Sequence, residues 1–515
     1  MDHRKFALKL LIVMFSIALV GFWAEAAWDF SNAVNPATGQ PLRLADLRVT
    51  PEMMRAVASP FARAYNNILA LLLTFISLAI PITATFYTPK LTELFLRDRV
   101  NLIMLCLFAL LAAHSLFAIT ISFDVWTGQT LFYLDAFFAI SGWLLLMPYY
   151  FYVLSFIDPV NILKRVHRSL LEELEDAARG RYPVAESQKR VNQKIVNLGS
   201  VLLRAVDRSD RDISFDAIKT HLIELVRVRE VKPRLPAEFF KVNTTIMLGM
   251  SSEAAHILSE QRIWMEHRIA SQVALAYRSV LGKMPDGVSA IADAIKLAAH
   301  EEAGRGNFEV FDLLVRTLNT FIREAIKKKE NASAYNVIYN YKSLVRRLLA
   351  DRPARVPELG RYLRHYADFA REHGLAFIYE LISYELGELV ERAFDGGKTE
   401  AAEALLAAML DLEDPARFTG LVKSRGILAG YCLERGRDAE LKRIEASLRA
   451  VPAAVLAKAR DVIQATVDRV FWELTDRGTN FNYVAPARRE KVVAFFDGLL
   501  RQAHGPAMAG GTAAP

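Results

Sequence analysis

The sequence predicts an all-α integral membrane protein: a four-helix transmembrane bundle followed by a large cytosolic α-helical domain of solenoid-like, tetratricopeptide-like organisation. Three observations predict it. Four apolar runs before residue 158 are each long enough to cross a hydrocarbon core, which takes roughly 20 helical residues. From about Val160 onward Lys, Arg, Glu and Asp recur every few positions, while apolar residues return at spacings of three and four. Runs in which β-branched and polar residues alternate are absent, so no sheet is expected.

The four spans run over about 10–28, 65–85, 100–123 and 131–157, with an extracytoplasmic loop over 29–64 and a cytosolic loop over 86–99. The first run follows Arg4, Lys5 and Lys9 and ends in Ala24-Glu25-Ala26, so it reads either as an anchor or as a cleaved signal peptide. Trp23 and Trp28 suit an interfacial belt and favour the anchor. Basic residues set the orientation. Lys90, Arg97 and Arg99 lie between spans two and three, and Lys164, Arg165 and Arg168 follow span four, whereas the turn 124–129 carries no base. Both termini are therefore expected in the cytoplasm.

Between spans two and three, Thr88 can cap a short helix with Pro89 in its first turn, and Leu91, Leu94 and Phe95 give it one apolar face. Such a helix lies in the membrane interface and carries Arg97, Asp98 and Arg99 to headgroup depth. Pro89 and these three residues are the candidate coupling surface between bundle and cytosolic domain. The alternative is a plain positive-inside anchor.

The stretch Phe-Tyr-Thr-Pro-Lys-Leu…Phe-Leu-Arg-Asp-Arg resembles the signature loop of a bacterial predicted-membrane-protein family, domain-of-unknown-function family 2254. The resemblance runs through Phe86, Pro89, Leu91, Phe95, Leu96, Arg97, Asp98 and Arg99. It implies an architecture of four spans with a cytosolic remainder, and no activity. Where that family often carries paired histidines, this chain has Tyr149 and Tyr150.

Ionisable groups inside a membrane are costly and therefore functional candidates. Span three contains His114 and span four Asp135. At about 1.5 Å per residue they lie roughly 13 and 7 Å from the outer face, close enough to pair as a proton-sensitive or path-lining couple. Asn66 and Asn67, at the outer end of span two, are expected in the same polar cluster. Pro81 and Pro148 are possible hinges.

The cytosolic domain covers 159–504, and 505–515 is a Gly- and Ala-rich tail that need not fold. Three turns share one form, a glycine and a polar residue before a new helix, at Gly306-Asn307, Gly397-Lys398 and Gly436-Arg437. This is the mark of paired-helix repeats. Motifs of chemistry fail on inspection. Gly397-Lys398-Thr399 lacks the first glycine of a phosphate loop, because position 392 is Arg392. Glu253-x-x-His256 has no second copy, and Glu266-His267 and His300-Glu301-Glu302 lack zinc-ligand spacing, so solvated helix faces are expected. No catalytic, cofactor-binding or metal-binding residue is expected.

Two cysteines, Cys106 and Cys432, exclude a disulfide framework, and a net charge of +7 calls for no nucleic acid. The expected function is a non-enzymatic one, in which the helical array binds a cytosolic protein or senses a membrane signal. The alternative is an oligomeric ion channel or transporter, since a tether needs one span and this chain has four. The lipid bilayer and further copies of the chain are the other expected partners.

Overall fold

The computed structural model describes residues 38–41, 49–86, 98–121, 129–242, 249–472 and 478–503, with isolated positions between 20 and 32. The described residues contain eighteen α-helices and no strand, and an isolated antiparallel bridge joins Val470 to Thr479. Two compact units divide the chain, residues 1–166 and 167–515.

The described helices of the N-terminal unit are α1 (Pro51–Phe86), α2 (Arg99–Ile121), α3 (Gln129–Ile157) and the start of α4 (Pro159–Ala178). Among the described residues two helices are long and apolar enough to cross a membrane, Arg99–Thr120 and Thr130–Ser155. They expose their apolar side chains: Leu110 is 67 % exposed, and Ile103, Phe117, Trp143 and Phe151 also point outward. A water-soluble protein would bury these groups, so the pattern fits lipid as the outer solvent. Most of the first expected span, and 87–97 with its interfacial helix, fall outside the described residues.

Helix α1 begins at Pro51, inside the stretch expected as loop 29–64, and well before the apolar run at 65. Met54, Ala58, Ala62 and Tyr65 form a buried stripe at helical spacing, and Met54 and Ala58 pack with Ala118 against Leu131 and Phe132. Exposed Glu52, Arg55 and Arg63 occupy the other face. That mixture hides the helix from a search for apolar runs, although its inner stripe is continuous.

The C-terminal unit is built from α5 (Val184–Asp207), α6 (Arg211–Val231), α7 (Ser252–Glu260), α8 (Trp264–Val280), α9 (Pro285–Arg305), α10 (Phe308–Lys327), α11 (Asn331–Asp351), α12 (Val356–Glu372), α13 (Ala376–Asp395), α14 (Thr399–Leu410), α15 (Thr419–Arg435), α16 (Asp438–Leu448), α17 (Ala453–Ala465) and α18 (Pro486–Ala503). From α8 through α13, each helix packs on its successor and on its next-but-one neighbour. Helices α9, α11, α13 and α15 form a first layer, and α8, α10, α12 and α14 a second. Side-chain contacts within the first layer keep pace along both partners. Lys342 meets Glu385 between α11 and α13, while Ser383 meets Ser424 and Tyr431 meets Glu391 between α13 and α15. First-layer helices therefore run parallel.

One turn recurs between the helices. At Gly306, Gly374, Gly397 and Gly436 the backbone enters the left-handed region that closes a helix. The next residue then donates its N–H back across the turn, as from Asn307 to Glu302, Leu375 to Ala370, Lys398 to Ala393 and Arg437 to Cys432. The three glycine turns expected from the sequence all have this form. Gly397-Lys398-Thr399 is one of them, a helix connection.

Candidate functional site

The residues that combine burial with unusual polarity lie in two places in the N-terminal unit and in a set of buried charges in the C-terminal one.

Antiparallel α2 and α3 bring His114 and Asp135 together. His114 Nδ1 lies 3.1 Å from Asp135 Oδ1, and Ser115 Oγ donates to the same oxygen at 2.7 Å. Asp135 is 1 % exposed, and its Oδ2 is buried with no hydrogen-bond partner. The Phe138 ring meets the imidazole edge-on at 5.1 Å. Interhelical hydrogen bonds of this kind contribute about 0.6 kcal/mol on average in membranes, up to roughly 1.7.

Asn66 and Asn67 do not join this cluster. Both are exposed, because the buried stripe of α1 places Tyr65 inward instead. Tyr65 Oη donates to the carbonyls of Phe138 and Ala139, at 2.9 and 2.7 Å. It approaches α3 over Gly142, where a Cβ would stand 2.5 Å from the tyrosine oxygen. The sequence sign of this contact is the tyrosine in register with Met54, Ala58 and Ala62.

The second place surrounds Asp98, which caps α2. Its Oδ1 accepts from the N–H groups of Val100 and Asn101 at 3.1 and 3.2 Å and from Tyr152 Oη at 2.7 Å. Arg165, on α4, comes within 3.9 Å of Oδ2, and its guanidinium lies 5.9 Å from the Tyr152 ring centre. Asp98 thus ties the start of α2 to the end of α3 and to α4. Arg99 is exposed, and Pro89 and Arg97 lie outside the described residues. Pro81 falls within the range of α1, and α3 runs on through Pro148, so the helices continue through both expected hinges.

In the C-terminal unit the expectation of solvated carboxylates is overturned at two positions. Glu266 is buried against Lys232 Nζ at 2.8 Å, and Glu302 against Arg229 at 2.6 Å. Burial pushes the Glu266 carboxyl above the usual carboxylate range, with Lys232 opposing. Their bases lie on α6 and in the turn after it, too distant in sequence for local spacing to show the pairing. Glu253 and His256 do sit on an exposed face, where His256 pairs with Glu260. Lys342, with Glu385 at 2.7 Å and Glu388 at 2.9 Å, forms a further buried group between α11 and α13.

Sequence reasoning also passed over Arg425. This side chain is 2 % exposed and donates to the carbonyls of Leu410, the last residue of α14, at 3.1 Å and of Leu412, just beyond it, at 2.6 Å. Burial lowers its pKa below the usual guanidinium range, to about 10. The signal was present: Arg425 stands between Ser424 and Gly426 on a helix with no acid one turn away. It meets the carbonyl end of a helix, where a cation is favourable.

These sites lie in a chain whose residues 4–210 match the family described as predicted membrane protein, domain-of-unknown-function family 2254. The loop motif resembles the same family. The match extends through α4 and α5 and stops before α6, so it covers the apolar helices and the first helices after them. No curated protein and no solved structure matches the chain.

Proposed function

We propose that this is a multi-pass protein of the bacterial inner membrane, with both termini in the cytoplasm. In this reading four spans anchor a solenoid of paired helices that binds a protein partner and performs no catalysis. The observation that carries the reading is the packing of α8–α15 in two layers, where each helix from α8 to α13 meets its successor and its next-but-one neighbour. Chains built this way bury a continuous core and leave long faces of repeated side chains, which suit peptides and proteins. The basic residues around the apolar helices support the orientation, and the exposed apolar faces of α2 and α3 support contacts with lipid and with further copies of the chain.

The test is photo-cross-linking in intact cells. A reactive amino acid at Phe377 or Tyr339, exposed on first-layer helices, should give discrete protein adducts, and the same probe at Leu110 should give lipid adducts. Absence of protein adducts from both first-layer positions would count against partner binding. The His114–Asp135 pair favours a second reading, an oligomeric channel or transporter. Ion flux in liposomes that changes with Asp135→Asn would establish it, and the oligomeric state follows from the mass of the protein in nanodiscs.

A further inference from the structure

Helices α17 and α18 are joined by a connection over 466–485, of which 466–472 and 478–485 are described. Its first part is a short ribbon: Asn480 N donates to Arg469 O at 3.0 Å and Phe471 N to Gly478 O at 3.3 Å. The ribbon leaves its apolar groups uncovered, with Trp472 80 % exposed and Val467 and Val470 also open to solvent. The chain then turns at Asn480, whose side-chain oxygen accepts from Asn482 N at 3.0 Å.

That turn rests on the first layer. The Phe481 ring centre lies 5.4 Å from Tyr384 of α13 and 6.5 Å from Tyr335 of α11. Tyr384 Oη donates to Asn482 Oδ1 at 2.8 Å. Tyr335 in turn neighbours Phe377 at 6.4 Å. On α11, Tyr335 and Tyr339 are one turn apart, and on α13, Phe377 and Tyr384 are two turns apart, so parallel packing of the two helices lines up four aromatic residues. The Lys342–Glu385–Glu388 group fixes the two helices to each other beside Tyr339. Phe481 covers only part of this surface, since Phe377 is 47 % and Tyr339 40 % exposed.

We propose that this aromatic surface is the recognition groove of the array, and that Phe481-Asn482 is an internal occupant which a partner segment displaces. The partner segment presents an aromatic residue followed by a side chain with an acceptor oxygen. The proposal rests on the partner-binding reading above and names its site and ligand chemistry. The occupant itself shows what fits: one ring in tilted and edge-on contact with two tyrosines, and one carbonyl acceptor for Tyr384. The occupant stands at the end of a ribbon whose Val467, Val470 and Trp472 are exposed. A tethered occupant competes at a high effective concentration, so it lowers the apparent affinity of any free segment in proportion to its occupancy.

The experiment uses the full-length protein in nanodiscs and a fluorescein-labelled peptide of residues 478–485, Gly-Thr-Asn-Phe-Asn-Tyr-Val-Ala, read by anisotropy. Phe481→Ala should bind this peptide about tenfold or more tightly than the unaltered chain. Phe377→Ala in that background, or alanine for the peptide's phenylalanine, should abolish the gain. Asn482→Ala should change affinity in the same direction by less, and it serves if Phe481→Ala loses helicity. Folded variants that bind the peptide no better than the unaltered chain overturn the proposal. So does dimerisation of Phe481→Ala without peptide uptake, which would assign the turn to exchange between copies. Cross-links from Phe377 in cells without peptide uptake would sink this proposal and leave the partner reading intact. Peptide uptake without cellular cross-links would sustain the groove and speak against a protein partner in the cell.

Discussion

Helices α2 and α3 are apolar on nearly every face, whereas array helices such as α10 and α12 keep their apolar residues to one side. In the first pair Leu110, Phe117 and Trp143 face outward, while Asp135, Ser115 and Asn101 are buried. In the array Phe321, Tyr277, Leu344 and Ile378 are buried, and most ion pairs lie at the surface. The difference shows where each region's stability comes from. Lipid is as apolar as leucine, so α2 and α3 gain little from hiding apolar groups and depend on close approach and a few polar contacts. The array gains from removing apolar area from water and uses tight turns to keep its layers in step.

Removing one large apolar side chain from each region tests this most strongly. Phe321 is fully buried and stacks on Tyr277, with ring centres 4.0 Å apart. Phe321→Ala should cost about 3–5 kcal/mol, measured by thermal or denaturant unfolding followed by circular dichroism. Leu110→Ala should cost less than about 1 kcal/mol in detergent or lipid, because its side chain exchanges one apolar surrounding for another. A comparable loss at Leu110 would place that residue against protein. Next in size is Arg425→Met, which keeps bulk but leaves the carbonyls of Leu410 and Leu412 without their donor. About 2–3 kcal/mol should be lost, on the scale of unsatisfied buried polar groups. A neutral result would mean that water replaces the guanidinium.

What the sequence revealed follows the same division. Apolar runs located α2 and α3 to within a few residues, because an apolar surface in lipid must be continuous. Glycine followed by a polar residue located the turns at Gly306, Gly397 and Gly436, because a left-handed helix end is a local event. The start of α1 was illegible because Arg55 and Arg63 on one face mask Met54, Ala58 and Ala62 on the other. Glu266 and Glu302 were misread as solvated because burial depends on which helix arrives from elsewhere. Their partners lie 34 and 73 positions away, and Asn482 lies 98 positions from Tyr384. The His114–Asp135 contact was legible only as a similarity of depth. Ser115, which completes it, carried no signal apart from its neighbour.

The polar contact in the apolar pair should be worth less than any core residue of the array. Asp135→Asn retains an oxygen for Ser115 and His114, and places its amide where Oδ2 has no partner. The stability of the detergent-solubilised protein should change by less than about 1 kcal/mol, assayed by denaturant titration. A loss of several kcal/mol would show that the carboxylate charge itself holds α2 to α3. The region would then depend on electrostatics more than on packing.

The smallest effect separates two kinds of carboxylate within the array, and its sign differs between them. Burial holds Glu266 above its unfolded value, against the pull of Lys232. Below the unfolded pKa the group is neutral in both states and costs nothing. As pH rises from there through the folded value, the unfolded chain releases its proton first, so stability falls. Glu175 is the reverse case: its hydrogen bond to Arg234 lowers its pKa, so it contributes above the unfolded value and loses that contribution on acidification. Glu175 and Arg234 lie at the surface, so water and salt screen their term. Unfolding measured between about pH 4 and 7 should therefore show Glu266→Gln gaining on the unaltered chain as pH rises, and Glu175→Gln losing slightly. Identical slopes for the two variants would mean that Glu266 is hydrated, and that the array's interior is wetter around α6 and α8 than its packing implies.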